Sequence, residues 1–287
     1  MTVSRTERAR AKINLALHVT GQRDDGYHLL DSLVVFADYG DDLTVSIVNG
    51  RADGDHRLTI QGPFADGLAV EPDNLVLRAA RLFETPLPAL DVTLVKNLPV
   101  ASGIGGGSSD AATTISLISK ICGITRPSDA ALLTLGADVP VCHRGEPVRM
   151  RGIGEDLSAV PPLPDLAMVL INPGVGVSTP AVFKGLERKD NPAFSVPETG
   201  WPSTDAFIAW LHGTRNDLEA PARTITPEVE RCLSVLGTHQ SALFSRMSGS
   251  GATCFALFRT LEDANKAADE IRAAFPDWWI CASLMGQ

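Results

Sequence analysis

The chain has 287 residues, 44% hydrophobic and 21% charged, with a mean hydropathy of +0.07, a balance that excludes disordered, collagen-like and coiled-coil readings. Its 25 Lys and Arg against 34 Asp and Glu give a formal net charge of −9, which argues against a nucleic-acid or anionic-membrane surface, since both rely on a broad positive field. The length suits roughly two domains of about 150 residues.

The first element in chain order is a strand over 9–19, where Ala9, Ala11, Ile13, Leu15, Leu17 and Val19 alternate with Arg10, Lys12, Asn14, Ala16 and His18. Lys12 and Asn14 share its other face, where a ligand could lie. A turn at 22–26 (QRDDG) precedes strand-like runs at 29–36, 43–47 and 58–60, and Asp73 is a candidate N-cap for a helix carrying Leu75, Val76, Ala79, Ala80 and Leu82. A strand over 92–95 leads through Pro99 into a glycine-dense loop, after which Ala111, Ala112, Ile115, Ile118 and Cys122 mark one face of a helix from Ser108. A short helix over 129–135 ends at Gly136, ADVPVC follows, and the Gly- and Pro-rich stretch 152–165 reads as a domain boundary.

The second half holds a buried strand over 168–172 and two Thr-Pro helix starts, Thr179-Pro180 and Thr226-Pro227. The polar stretch 184–203 reads as a surface loop; strands over 247–250 and 253–258, a helix from Thr260 and a strand over 278–284 complete the chain. The mixture predicts α+β architecture in both halves rather than a regular parallel α/β sheet. No run approaches the ~20 consecutive apolar residues of a membrane span, and the opening MTVSRTERARAK has no apolar leader segment, so the expected location is cytoplasmic. The five cysteines are odd in number and scattered, without a C-x-x-C pair, and read as reduced small hydrophobes.

The segment 99–112, PVASGIGGGSSDAA, is the strongest chemical signal. Consecutive glycines let backbone approach a ligand closely, and the helix that follows offers unbonded N–H groups and a partial positive charge, a natural phosphate site. Ser108 and Ser109 add hydroxyls for a phosphate or a metal ion. It is not a Walker A loop, because Gly107 is followed by Ser108-Ser109 rather than Lys-Ser/Thr, and a Rossmann fingerprint would need glycine at 108. A tight turn without a ligand is the bland alternative. Asp138 in GADVP could be a turn residue and Lys12 a solvated charge, yet phosphoryl transfer to an alcohol needs a carboxylate, a cation and a phosphate cradle, and the chain offers one of each. Tyr27-His28 suits a stacked, hydrogen-bonded base, and Ser248-Gly249-Ser250-Gly251 is a hairpin whose N–H groups could also face phosphate.

Four blocks, ARAKINLALHVTGQRDDGYHLL at 9–30, LPVASGIGGGSSDAATT at 98–114, LGADVPVCHRG at 135–145 and MSGSGATCFALF at 247–258, resemble the 4-diphosphocytidyl-2-C-methyl-D-erythritol kinase family within the GHMP kinase superfamily. The likeness runs over nearly the whole chain in family order. It implies a two-domain α+β GHMP kinase-like fold, with an ATP-binding domain over 1–155, a substrate-binding domain over 156–287 and the active site in the cleft between them. It also implies transfer of the γ-phosphoryl group of ATP, with Mg2+, to the 2-hydroxyl of a cytidine-diphosphate methylerythritol, in the non-mevalonate route to isoprenoids. Asp138 then matches the catalytic base, and Lys12 the lysine that steers it and offsets charge. Gly103, Gly105, Gly106, Gly107, Ser108 and Ser109 match the ATP phosphate loop, while Asn74 and Lys96 lie where the family contacts adenosine. Tyr27, His28 and Phe183 match the cytidine pocket, two aromatic rings sandwiching cytosine and His28 reading its polar edge; Asn14 and Thr179 match contacts nearer the sugar and diphosphate. Ser102 and Ile104 depart from the usual glycine pair and Leu in the loop. A monomer or homodimer is expected. The alternatives are another GHMP small-alcohol kinase, of homoserine or mevalonate type, and a non-catalytic nucleotide-binding module, against which the presence of both Asp138 and Lys12 weighs.

Overall fold

The structure, a computed structural model, describes residues 3–70 and 73–286; Met1 and Thr2 of the opening stretch, Glu71, Pro72 and the final Gln287 lie outside the described residues. The chain forms two compact units, each drawn from separate stretches: the first runs up to Ala11 and holds Tyr39–Val100 and Gly105–Gly145, and the second holds Lys12–Asp38, Ala101–Ile104 and the chain from Glu146 onward.

Two long strands contribute to both units, β1 (Ser4–Gln22) and β2 (His28–Ile47), which pair with each other. The runs at 29–36 and 43–47, separate in the sequence pattern, are thus one strand. Gly40 makes this feasible, because a Cβ there would run into the Ala9 carbonyl of β1.

In the first unit, β2 pairs antiparallel with β4 (Leu90–Val95), from Asp42 opposite Val95 to Ile47 opposite Leu90, and β3 (Arg57–Gln61) adds parallel to β4. Leu90, Val92 and Leu94 alternate inward from β4 and meet Leu43, Val45, Leu117 and Ile118 in one core. Among the described residues, four helices complete this unit. Helix α1 (Leu75–Ala80) is capped by Asn74, whose side chain accepts the Val76 N–H, rather than by Asp73 as the sequence suggested. Helix α2 (Gly106–Cys122) starts on Gly105 and stops at Gly123, both left-handed. Its expected face, Ala111, Ala112 and Ile115, packs with Leu132 of α3 (Asp129–Leu133) and Val139 of α4 (Val139–Arg144). ADVPVC, given no element by its spacing, starts α4 with Pro140 in its first turn, where the missing N–H costs nothing.

The stretch 152–165 is the arm of a hairpin: β5 (Val148–Gly152) and β6 (Asp156–Ala159) pair antiparallel, β5 also pairs with β2, and Gly152 and Gly154 take positive φ at the turn. All of it belongs to the second unit, whose division from the first falls at 145/146. There β7 (Ala167–Asn172), buried at every residue, lies between β10 (Trp279–Gly286) and β9 (Cys254–Phe258), with β8 (Phe244–Met247) outside β9 and all pairs antiparallel. A strand covered on both faces has no polar alternation, which is why β7 reads as a continuous apolar run. Among the described residues, the helices that accompany this sheet are α5 (Thr179–Lys184), α6 (Thr204–His212), α7 (Glu219–Ile225), α8 (Glu228–Gly237) and α9 (Leu261–Ala274). Ser178, not Thr179, caps α5 by accepting the Ala181 N–H, and Thr226 ends α7 while Pro227 opens α8. Thr260 caps α9 as its sequence position predicts.

The polar loop before α6 is pinned. Buried Asp31 holds Arg149 through two bonds of 2.7 and 2.8 Å, Arg149 Nη2 donates to the Phe194 carbonyl at 2.7 Å, and the Phe194 N–H donates back to Asp31 at 3.1 Å. Trp210 Nε1 further donates to the Ser195 carbonyl. Largely antiparallel sheets, with β3–β4 the parallel pair, and helices on them in both units make the fold α+β. Among the described residues no helix is long and apolar enough to cross a membrane.

Candidate active site

The first unit carries the helix end of the glycine loop. Gly105, at φ 65° and ψ 20°, turns the chain into α2, and the first intrahelical donor is the Ser109 N–H to the Gly105 carbonyl at 2.8 Å. The N–H groups of Gly106, Gly107 and Ser108 therefore precede the helical ladder, the arrangement that receives an anion. Gly107 is exposed and Ser108 half-buried. Ser109 is committed elsewhere: buried, it donates its hydroxyl to the Arg10 carbonyl at 2.7 Å and ties β1 to α2.

Asp138 stands at the head of α4, half-buried, its carbonyl accepting the Cys142 N–H while its carboxylate does not cap the helix. Its Gly-Ala-Asp turn is brought beside the loop, for a Cβ on Gly136 would lie 4.0 Å from Ser108 Oγ. The two strongest sequence signals of this unit thus fall together in space.

Asn74 and Lys96, expected against adenosine, are engaged within the protein. The Asn74 amide caps α1 and donates to the Ala69 carbonyl at 2.9 Å. The Lys96 ammonium is buried between Asp110 Oδ2, at 2.7 Å, and Asp41 Oδ2. Its pKa is raised because these two carboxylates outweigh the opposing effect of burial. Burial pushes Asp110 up to about 7 despite the lysine, and Asp110 Oδ1 has no hydrogen-bond partner. Asp41 gives no signal in the sequence because a lone acidic residue in a strand carries no pattern.

The second unit carries the other limb of the loop. Lys12 is buried on β1 and its N–H donates to the Ile104 carbonyl at 2.9 Å. Two residues on, fully buried Asn14 gives its N–H to Ser248 Oγ at 3.1 Å and its amide nitrogen to Ser32 Oγ at 2.7 Å, leaving Oδ1 buried with no partner. Ser248 in turn donates to the Gly103 carbonyl at 3.1 Å. Gly103 sits at φ +78° so tightly on this turn that a Cβ would lie 2.5 Å from the Ser248 carbonyl oxygen and 2.8 Å from Gly251 N. The departures at 102 and 104 are absorbed inward: Ile104 is fully buried and Ser102 gives its carbonyl to the Thr253 N–H at 3.1 Å. The SGSG hairpin therefore holds one limb of the glycine loop, and Thr179 meets it through a 2.7 Å hydroxyl contact with Ser250.

Of the residues expected in the base pocket, His28 and Phe183 are in ring contact. His28 stacks on one face of Phe183 with centroids 4.6 Å apart and planes at 22°, while Tyr27 is 60% exposed. His28 Nε2 is buried with no hydrogen-bond partner. Burial, helped by the Lys189 charge, lowers its pKa and favours the neutral ring.

Models of the GHMP kinases N terminal domain and the GHMP kinases C terminal match residues 74–148 and 200–277. A protein of Paracoccus denitrificans, a 4-diphosphocytidyl-2-C-methyl-D-erythritol kinase, is 52% identical over 283 residues, covering 99% of this chain and 97% of its own. The chain belongs to the 4-diphosphocytidyl-2-C-methyl-D-erythritol kinase family of GHMP kinases. A second member, from Ruegeria pomeroyi, is 53% identical over 276 residues, covering 96% of each chain. A crystal structure of a 4-(cytidine 5'-diphospho)-2C-methyl-D-erythritol kinase is 30% identical and superposes with a TM-score of 0.76 over 99% of this GHMP kinase and 100% of that chain. A homoserine kinase from Cytophaga hutchinsonii, 16% identical with a TM-score of 0.64 over 100% of this chain and 96% of its own, shares the fold alone.

Proposed function

We propose that this ATP-dependent GHMP kinase transfers the γ-phosphoryl group of ATP to the 2-hydroxyl of 4-diphosphocytidyl-2-C-methyl-D-erythritol, in the non-mevalonate route to isopentenyl diphosphate. The observation that carries the reading is the Asp138 turn lying beside Ser108 at the unladdered N–H groups of α2. Phosphoryl transfer requires a carboxylate near the attacking hydroxyl and donors on the phosphates, because little covalent chemistry is left for the protein. Asp138 takes the hydroxyl proton, and the loop from Gly103 through Ser108 receives the phosphates, with Ser109 bracing it through Arg10. Lys12 offsets the charge that develops on transfer.

For the second substrate, Asn14 Oδ1 and His28 Nε2 are buried acceptors or donors awaiting partners, and an orphaned buried polar atom is costly unless a ligand satisfies it. Neutral His28 suits the polar edge of cytosine, with Phe183 and Tyr27 supplying ring faces and Thr179 a hydroxyl. Magnesium would enter on the ATP phosphates, keeping water and phosphate oxygens as ligands. Bound there, it would shield the transferring phosphoryl charge. The cytoplasm, where thiols stay reduced, suits the five free cysteines.

The test is an ADP-release assay with Mg-ATP over the diphosphocytidyl polyol, homoserine and mevalonate. Turnover of the first alone is expected; brisk turnover of either other alcohol without it would overturn the substrate. Asp138→Asn should lower kcat about 100-fold and leave ATP binding intact, and a near-normal kcat would reduce Asp138 to a turn residue.

A further inference from the structure

Lys96 sits in the least expected surroundings of any residue near the loop. Its side chain is 5% exposed, and those of its partners Asp41 and Asp110 are 0% and 5% exposed. Three ionic groups withdrawn from water are poor stabilisers, since apolar replacements of such clusters are often neutral or better. Nor does the cluster attract phosphate as a charge, for two carboxylates and one ammonium sum to a formal −1. What it does is geometric. Asp41 Oδ1 accepts the N–H groups of Asn97, at 2.6 Å, and Leu98, at 2.8 Å, holding the turn that enters the glycine loop. Asp110 lies in α2, one turn on from Gly106 at its start. Between them a Cβ on Gly106 would lie 3.1 Å from Lys96 Nζ and 3.7 Å from Asp41 Oδ2, so the loop backbone packs against the ion pair and a side chain at 106 would displace the ammonium.

Accepting the glycine loop as the phosphate site, we infer that Lys96 is a positioning residue for nucleotide phosphates: clamped by Asp41 and Asp110, it sets the height and direction of the Gly106–Ser108 N–H groups from beneath and does not contact adenosine. Lys96 joins three segments at one point, the strand end at 96, the loop backbone at 106 and the helix at 110. Removing the ammonium removes the one group that ties the 96–98 turn, through Asp41, to α2, through Asp110, beneath the backbone at Gly106.

The test measures binding of ATP, inorganic tripolyphosphate and adenosine separately, by calorimetry, to the full-length wild type and to Lys96→Met, Asp110→Asn and the double variant. The double variant leaves a single carboxylate with two N–H donors and so retains its fold even where Lys96→Met alone does not, which circular dichroism and a melting curve check. ATP and tripolyphosphate are expected to weaken by the same factor, about tenfold or more, in Lys96→Met and in the double variant. Adenosine binding should not change, and Asp110→Asn, which keeps the ammonium and an oxygen partner, should stay within about threefold of wild type. Loss of ATP and adenosine binding with tripolyphosphate unaffected would make Lys96 a nucleoside contact and overturn the inference, as would wild-type binding of all three ligands by a folded double variant. Failure of the wild type itself to bind tripolyphosphate or ATP would instead refute the phosphate-loop reading on which it rests.

Discussion

Gly103→Ala isolates what the close approach of the loop to the Ser248 turn contributes. Two costs are separable. The first is conformational: at φ +78° a Cβ carries the left-handed penalty, about 1 kcal/mol for a single residue. The second is steric, since the new methyl would meet the Ser248 carbonyl oxygen at 2.5 Å and Gly251 N and O at 2.8 Å, all backbone atoms that cannot rotate away. Relieving such overlap costs about 1–3 kcal/mol, and moving the loop also weakens the bonds from Ser248 Oγ to the Gly103 carbonyl and from Thr253 N to the Ser102 carbonyl, each worth about 1 kcal/mol. Gly50→Ala is the matched control, because Gly50 lies at φ +83° with nothing within 4 Å of a Cβ. Urea unfolding at constant slope should place Gly103→Ala about 3 kcal/mol below Gly50→Ala. In the ADP-release assay Gly103→Ala should raise KM for ATP about tenfold or more, with Gly50→Ala kinetically wild type. Equal unfolding free energies for the two variants, together with an unchanged KM for ATP, would refute the reasoning.

Three further outcomes follow from other sites. His28→Ala should raise KM for the cytidine substrate about tenfold or more with kcat for bound substrate little changed, because stacking and one buried hydrogen bond are worth about 1–3 kcal/mol; an unaltered KM would remove His28 from the pocket. Asp31→Ala strands the Arg149 guanidinium and releases the Phe194 N–H, so a loss of about 3 kcal/mol and faster amide exchange around residues 192–196 are expected, and unchanged exchange there would show that the loop is held by other contacts. Asp110, raised to about 7 by burial, keeps a proton that the unfolded chain has released at an ordinary carboxyl pKa. Stability therefore declines as pH rises through that interval up to about 7. Asp110→Asn should be least different from wild type near pH 4 and most stabilising, relative to it, above pH 7; a difference flat across that range in denaturant titrations would mean that Asp110 titrates normally.

Much of each unit is legible in the periodicity of the sequence. The alternation in β1, the one-sided apolar spacing of α2 and the cap at Thr260 each reflect interactions within a few residues, so local sequence carries them. Element ends are less legible where neighbouring residues compete for one role: Asp73 and Asn74 can both cap a helix, as can Ser178 and Thr179, and loop geometry makes the choice. The turn at 152–154 resembles a linker because glycine permits either, and only pairing with Asp156–Ala159 makes it a hairpin. Asp41 and Ser32 have no local signal, since these partners lie 16 or more residues away.

The sequence by itself determined the chemistry on offer and the ordinary globular class. A net charge of −9 argued against a broad anionic partner, and the glycine run pointed to backbone N–H groups as candidate phosphate donors, which need no positive surface. What tertiary structure decided is which side chains are available for that chemistry. It withdrew Ser109 and Lys96 into internal bonds, set His28 on the face of Phe183, and left Asn14 Oδ1 and His28 Nε2 without partners. The reason is physical: a residue's type is local, but burial and hydrogen-bond satisfaction depend on groups far along the chain, and only packing brings those groups into reach.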